Sequence, residues 1–167
     1  LGLQPVTIGM DNYFIDRDKT PLNEFGNPDF ESVRALDLPL FNEHLSRLIA
    51  GEEVIIPRYN FTKGRRDEEG TPCRLNEKSI IIVEGIHALN ELITEKVARE
   101  NKRKVYISAL TLLNFDPASP VSTSDNRMIR RMVRDMKFRG HSPEKTLSMW
   151  GDVRYGEHRN IFPFQEE

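Results

Sequence analysis

The sequence predicts an α/β fold built on a parallel sheet, and three observations lead to that expectation. Val6-Thr7-Ile8 and Ser79-Ile80-Ile81-Ile82-Val83 read as short apolar strands. The second is continuous and β-branched, as a parallel strand covered on both faces requires. Between the two, Leu38, Phe41, Leu45, Leu48 and Ile49 recur at helical spacing. Beyond them, a helix expected over residues 90–100 leads into Lys104-Val105-Tyr106-Ile107, which starts a further strand. Strands that alternate with helices favour parallel pairing.

Along the chain, the first strand runs into Gly9-Met10-Asp11-Asn12-Tyr13-Phe14. The stretch to about residue 32 is rich in Asp, Asn, Pro and Gly, the composition of a surface loop. Asp37 is placed to open the first helix and Gly51 to stop it. Val54-Ile55-Ile56-Pro57 reads as a short extended piece. Residues 58–74 are polar, with Lys63-Gly64-Arg65-Arg66 followed by Asp67-Glu68-Glu69-Gly70. A connection of that length, whether loop or hairpin, is commonly functional. From Ser122 the pattern is helical to the end, interrupted near Gly140-His141-Ser142-Pro143. No internal repeat or low-complexity tract is present.

Composition narrows the class. At 167 residues with 38% apolar and 30% charged residues, the chain is one domain's worth, long enough for a real core. A mean hydropathy of −0.54 carries no membrane signal. The apolar run Ile80-Ile81-Ile82-Val83 is far shorter than the roughly 20 residues a bilayer requires. The start, Leu1-Gly2-Leu3-Gln4-Pro5, has neither the basic nor the apolar stretch of a signal peptide, and its lack of Met points to a start inside a longer polypeptide. Cys73 is the single cysteine, so no intrachain disulfide can form, which fits a cytoplasmic protein. The net charge of −2 excludes a generally basic, nucleic-acid-coating protein but leaves room for local charge segregation.

The strongest local segregation is at residues 124–140. At about 100° per residue, Arg127, Arg130, Arg131 and Arg134 fall in one stripe, with Ile129, Met132, Val133 and Met136 opposite. The apolar side is expected to dock on a core and the arginine side to project. A solvated charged face is the plain alternative, but such faces usually alternate signs at i,i+4. The stripe itself carries no acid, Asp135 lying to one side. Guanidinium forks suit phosphate oxygens.

Two acids stand at expected strand ends. Asp11, with Tyr13 beside it, follows the first strand, and in open α/β sheets ligands bind beyond the carboxyl ends of strands. A carboxylate there can take a proton from a hydroxyl that attacks phosphorus, or can simply cap a turn. Glu84 ends the Ile80-Ile81-Ile82-Val83 strand, an arrangement that resembles the Walker B acid that helps hold Mg²⁺. Gly85 would let backbone approach a ligand closely. His87 is more readily a structural residue than a ligand. Tyr59 and Phe61, in Pro57-Arg58-Tyr59-Asn60-Phe61, can stack on a base or sugar or pack on their own domain.

Taken in order, these segments resemble the uridine kinase and phosphoribulokinase family of P-loop kinases, in particular its bacterial uridine-kinase-related subgroup. The likeness rests on Met10-Asp11-Asn12-Tyr13-Phe14, on Asp29-Phe30-Glu31-Ser32 through Ala35-Leu36-Asp37, and on Gly51-Glu52-Glu53-Val54 leading to Pro57-Arg58-Tyr59-Asn60-Phe61. It continues through Glu84-Gly85-Ile86-His87-Ala88-Leu89-Asn90 and from Asp125-Asn126-Arg127 to Arg139-Gly140. The resemblance implies a P-loop-kinase-like parallel sheet flanked by helices, with a C-terminal helical lid. It implies one partial domain: an acceptor-binding part at about 9–75, the strand-end acid within 79–87, and the lid at about 122–143. It implies ATP and Mg²⁺ as cofactors and a nucleoside or similar sugar-bearing acceptor as partner. Asp11 matches the catalytic base, with Arg130 and Arg134 assisting transfer. Tyr13, Asp29, Glu31, Tyr59, Arg127 and Arg131 fall in the substrate-binding regions, Glu84 at the metal and Arg139 in the lid.

Three departures accompany the likeness. Gly-x-x-x-x-Gly-Lys-Ser/Thr is absent from the 167 residues. The expectation is therefore a fragment without the Walker A strand, inactive alone, whose sheet either lacks that strand because the chain is part of a longer one or is completed in some other way. The acceptor-loop Phe-Asp of the family stands here as Phe30-Glu31, which divides the sugar-diol contact between Asp29 and Glu31. Where nucleoside kinases of the family carry a pyrimidine-recognising His, the sequence reads Thr62-Lys63-Gly64-Arg65. Ribulose phosphate and pantothenate remain alternative acceptors, and homo-oligomerisation is left open. The rival class is a non-catalytic module that holds RNA or another polyanion on the arginine helix, although nucleic acid is the less favoured partner.

Overall fold

The computed structural model describes residues 2–107, 114–116 and 119–164. They form two compact units, one made of the described residues up to 105 and from 156 on, the other of those between 106 and 155.

In the first unit, strand β1 (Gln4–Gly9) pairs in parallel with β6 (Ser79–Glu84), in a register that sets Val6 opposite Ile81 and Gly9 opposite Glu84. The expected parallel pairing is thus present as a two-stranded sheet. Helix α1 (Leu38–Ile49) lies between them in sequence. Asp37 caps it, Oδ1 accepting the Leu40 N–H at 3.1 Å, which satisfies one of the donors that a helix start leaves unpaired. Its apolar stripe buries Phe41, Leu45 and Leu48 with Ile8, Met10, Tyr13, Val54 and Ile93. Each such side chain contributes about 1.5–3 kcal/mol on burial.

Residues 54–73 fold as a two-tier hairpin. Strands β2 (Val54–Ile56) and β5 (Thr71–Cys73) pair in the outer tier, and β3 (Tyr59–Asn60) and β4 (Arg65–Arg66) in the inner one. The hairpin alternative for this polar stretch is the one the chain adopts.

Three expectations differ from the structure. β6 is covered on one face only: Ile81 and Val83 pack on the core, while Ile80 and Ile82 are nearly half exposed. Its continuous apolar run calls for a second layer that the described residues do not supply. Residues 90–100 form no α-helix but two short 3-10 turns, Glu91–Thr94 and Arg99–Asn101. Side chains replace helical hydrogen bonds there: Asn42 Nδ2 donates to the Leu92 carbonyl at 3.2 Å and Lys102 Nζ to the Thr94 carbonyl at 3.0 Å. Residues 104–107 are not a strand, and Val105 and Ile107 are largely exposed. The continuation at 108–113 lies outside the described residues.

The second unit holds the short hairpin β7 (Asn114–Asp116) and β8 (Ser119–Pro120), helix α2 (Thr123–Phe138) and α3 (Pro143–Ser148). The division between units falls within α4 (Trp150–Asn160). The helical expectation beyond Ser122 holds over α2, α3 and α4, with the break near Gly140, and residues 165–167 lie outside the described residues. Ser122 Oγ caps α2 by accepting the Asp125 N–H at 3.0 Å.

The orientation expected for α2 holds only in part: Arg130 and Arg134 project, but most of the apolar side is not docked on a core. Ile129, Val133 and Met136 are 42%, 45% and 54% exposed, whereas Asp135 is 2% exposed. The packed face runs through Asn126, Arg131 and Asp135, at the edge of the arginine stripe, while Arg130 and Arg134 stay exposed. Asp135 sits four residues from both Arg131 and Arg139, only about 40° round the helix from Arg131, and its carboxylate draws both inward. Among the described residues, no helix is long and apolar enough to cross a membrane.

Candidate active site

The end of the parallel pair sets the geometry. β1 passes directly into a 3-10 turn, Met10–Tyr13. Its tight period turns Met10 and Tyr13 into the core and leaves Asp11 exposed. Because Gly9 is level with Glu84, Asp11 follows two residues beyond the same sheet end that carries the Glu84 carboxylate. Glu84 Oε1 occupies space that a side chain on Gly9 would need, 2.8 Å from the position of a Cβ, with the Asn12 amide on the other side at 3.7 Å. Gly85 has φ +152°, and a Cβ there would stand 2.9 Å from that of Met10. The close approach expected of Gly85 is therefore made by Met10.

Tyr13 is corrected from ligand contact to core. It is 1% exposed, its hydroxyl is 3.0 Å from His44 Nδ1, and its ring meets Phe41 edge-on. Burial raises the Tyr13 pKa and, as the largest cause, lowers that of His44.

Tyr59 sits differently. Its backbone N–H donates to Asn12 Oδ1 at 3.4 Å, and its ring forms a cluster with Phe14 and Phe61 at centroid distances of 5.6 and 5.1 Å. Asn12 thus links the inner hairpin to the Asp11 turn. A concavity of about 610 Å³ lies over the hairpin, lined by charged side chains from Asp16, Arg58, Lys63 and residues 65–69; neither Asp11 nor Glu84 lines it.

Arg66, which the sequence presented only as part of a basic run, fixes the hairpin. Nη2 donates to the Tyr13 carbonyl at 2.9 Å, Nε to the Phe14 carbonyl at 3.1 Å, and Nη1 to Asp37 Oδ2 at 3.1 Å. One guanidinium thereby joins the Asp11 turn, the α1 cap and β4. Nothing in the local pattern separates Arg66 from Arg65. Only strand alternation, once the hairpin is known, turns one inward and the other out.

In the acceptor loop, Asp29 Oδ1 accepts the Glu31 N–H at 3.2 Å, so Asp29 shapes the turn that presents Glu31. The end of α4 lies against Glu31 at Gly156, and Asn160 Nδ2 donates to the Glu31 carbonyl at 3.2 Å.

His87 follows the Glu84 turn and is 2% exposed, with neither ring nitrogen in a hydrogen bond. Burial lowers its pKa to about 4, and a backbone group of Asn160 opposes this weakly. The structural reading of His87 fits this burial. Because the folded state disfavours its protonation, the stability His87 contributes is complete above the ordinary imidazole pKa. It is lost as pH falls from about 6.5 toward 4, by about 3 kcal/mol in all. Urea midpoints measured from pH 7 to 4 are expected to fall more steeply in the wild type than in His87→Phe. Equal slopes would refute this. His44 acts in the same direction in both proteins, so the difference isolates His87.

In the second unit, Asp135 gathers Arg131, Arg134 and Arg139. Arg130 is exposed and Arg127 half-buried.

An α/β framework with acids at the carboxyl ends of parallel strands is an arrangement that phosphotransferases use. Residues 10–163 match the Phosphoribulokinase / Uridine kinase family, and the chain belongs to that family of phosphotransferases. Among relatives, it is 27% identical to a uridine kinase of Deinococcus deserti over 86% of this chain and 60% of that protein. It is 28% identical to one of Bacillus cereus, over 91% and 63%, and 29% identical to one of Anoxybacillus flavithermus, over 91% and 64%. The chain therefore spans about three fifths of the length of these curated relatives.

Proposed function

We propose that this chain forms part of an ATP-dependent kinase that transfers the γ-phosphoryl group to a hydroxyl of a nucleoside or related sugar-bearing acceptor. The observation that carries the reading is the exposed Asp11 turn level with Glu84 at the carboxyl end of the parallel pair. Relatives named uridine kinases favour a nucleoside acceptor.

In this reading Asp11 accepts the proton of the attacking hydroxyl. Glu84 would hold Mg²⁺. Among the described residues no three His, Cys, Asp or Glu side chains form a cage, and a lone exposed carboxylate suits an ion that takes one or two carboxylates and completes its shell with phosphates and water. When bound, that ion neutralises phosphate charge. Arg127, Arg130, Arg131 and Arg134, with Arg139 of the lid, stabilise negative charge on the phosphoryl oxygens. The Tyr59 cluster offers a ring to the base or sugar, and Glu31, shaped by Asp29, reaches the sugar hydroxyls. The reading assigns the Gly-rich ATP-phosphate loop to the part of the relatives' length that this chain does not span.

The test is ³¹P NMR of the full-length protein with ATP, Mg²⁺ and a panel that includes uridine, cytidine and pantothenate. A phosphorylated nucleoside is expected, and no turnover from residues 1–167 alone. RNA binding that weakens steeply with salt, without transfer to any acceptor, would instead support the polyanion-binding reading.

A further inference from the structure

Arg17 opens the exposed 3-10 turn Arg17–Lys19, and its side chain lies across Gly64 of the hairpin. Gly64 is buried with φ +69°, a conformation that other residues rarely adopt. Arg17 fills the space a side chain there would need: its Nε and Cζ both stand 2.9 Å from the position of a Cβ. The Arg17 backbone N–H donates to the Gly64 carbonyl at 2.8 Å, and Nη2 donates to the Phe61 carbonyl at 2.7 Å. Both ends of the residue are thereby fixed to the hairpin. The guanidinium is also near the Tyr59 hydroxyl, whose pKa burial raises and the Arg17 charge lowers in part.

A guanidinium carries five N–H donors, arranged as two forks that share Nη2. One Nη2–H given to Phe61 leaves one fork whole, and among the described residues Nε and Nη1 have no hydrogen-bond partner. The other charged groups whose influence reaches Tyr59 are engaged. Arg66 commits all three nitrogens to the Tyr13 and Phe14 carbonyls and Asp37, and Asp16 accepts from Lys19 Nζ at 3.0 Å. Aromatic rings such as Tyr59 and Phe61 stack on any base with little preference. Discrimination needs a directional polar group beside them, and Arg17 supplies donors there.

We propose that Arg17 is a specificity-determining residue of the acceptor site, whose guanidinium fork selects a nucleobase with two adjacent hydrogen-bond acceptors. This rests on the nucleoside-kinase reading and adds to it the class of base. The fork only donates. Guanine sets O6 beside N7, a pair that arginine holds bidentately, and cytosine sets O2 beside N3. Adenine places an amino donor beside N7, and uracil places N3–H beside O4, so each opposes one arm of the fork with another donor. Guanosine and cytidine are the acceptors that fit.

The test compares kcat/KM for guanosine, cytidine, uridine and adenosine on the full-length protein with ATP and Mg²⁺, in the wild type, Arg17→Met and Arg17→Lys. In the wild type the better of guanosine and cytidine is expected to exceed uridine and adenosine by about tenfold, the size of one bidentate base contact. Which of the two leads identifies the base. Arg17→Met keeps a stem across Gly64 and removes the fork, so that ratio is expected to fall to about one. Arg17→Lys keeps the charge without the fork; it is expected to lose most of the preference too, and covers the case in which the Met variant does not fold. A merely structural tether would lower all four substrates together and leave their ratio unchanged. Wild-type preference for uridine or adenosine, equal rates with all four, or a ratio that survives both substitutions overturns the proposal while the kinase reading stands. Phosphorylation of no nucleoside by the full-length wild type removes the nucleoside acceptor itself, and the proposal with it.

Discussion

Asp11→Asn is expected to lower phosphoryl transfer by about 10²–10⁴-fold, the range that a lost general base produces. The substitution keeps the shape of the side chain and removes its ability to take a proton. Asp11 is exposed on a turn whose inward residues are Met10 and Tyr13, so the core is not disturbed. The melting temperature and the KM for ATP should therefore stay close to wild type while kcat collapses. Coupled-assay kinetics on the full-length protein would check this, with circular dichroism as the control for folding. A variant that retains more than about a tenth of the wild-type kcat would remove Asp11 from the role of base.

The second large effect is structural. Arg66→Ala removes three charge-assisted hydrogen bonds at once, to the carbonyls of Tyr13 and Phe14 and to Asp37. The Arg66 and Asp37 side chains are 24% and 29% exposed, so water recovers part of the loss. A net cost of about 2–4 kcal/mol is expected from groups left unpaired in a mostly enclosed site. Lys at this position should rescue poorly, since an ammonium lacks the planar fork that reaches three acceptors. Guanidinium chloride unfolding measures the stability. Tyr59 amide exchange in the native state measures the hairpin, which should loosen ahead of global unfolding. A loss under about 0.5 kcal/mol, the ordinary surface value, would show that the three contacts carry little.

The comparison of sequence with structure follows the range over which each signal acts. The strands at 4–9 and 79–84, the α1 cap at Asp37 and its stop at Gly51, and the break near Gly140 were all legible, because each is written in a few adjacent residues. The placement of Asp11 and Glu84 at one sheet end followed from the same local reading. What failed depended on distant partners. Residues 90–100 carry an acceptable helical pattern, but Asn42 and Lys102 satisfy their backbone instead. Tyr13 looked available beside Asp11, yet His44, 31 residues away, takes its hydroxyl. Asp135 was misjudged for a different reason: a helical wheel shows its angle but not that its short side chain, flanked by arginines at i−4 and i+4, holds Arg131 and Arg139 against itself as the helix packs.

The wedge of Met10 into the space left by Gly85 has a mechanical consequence. It interlocks the two chain reversals that bear Asp11 and Glu84, so neither reversal can slide without carrying the other. Asp11 and Glu84, the base and metal-side acid of the proposed kinase reading, are then carried on linked turns. The hairpin is tied to the same turn through Asn12 and Arg66, so any displacement of the hairpin has to break or stretch those contacts.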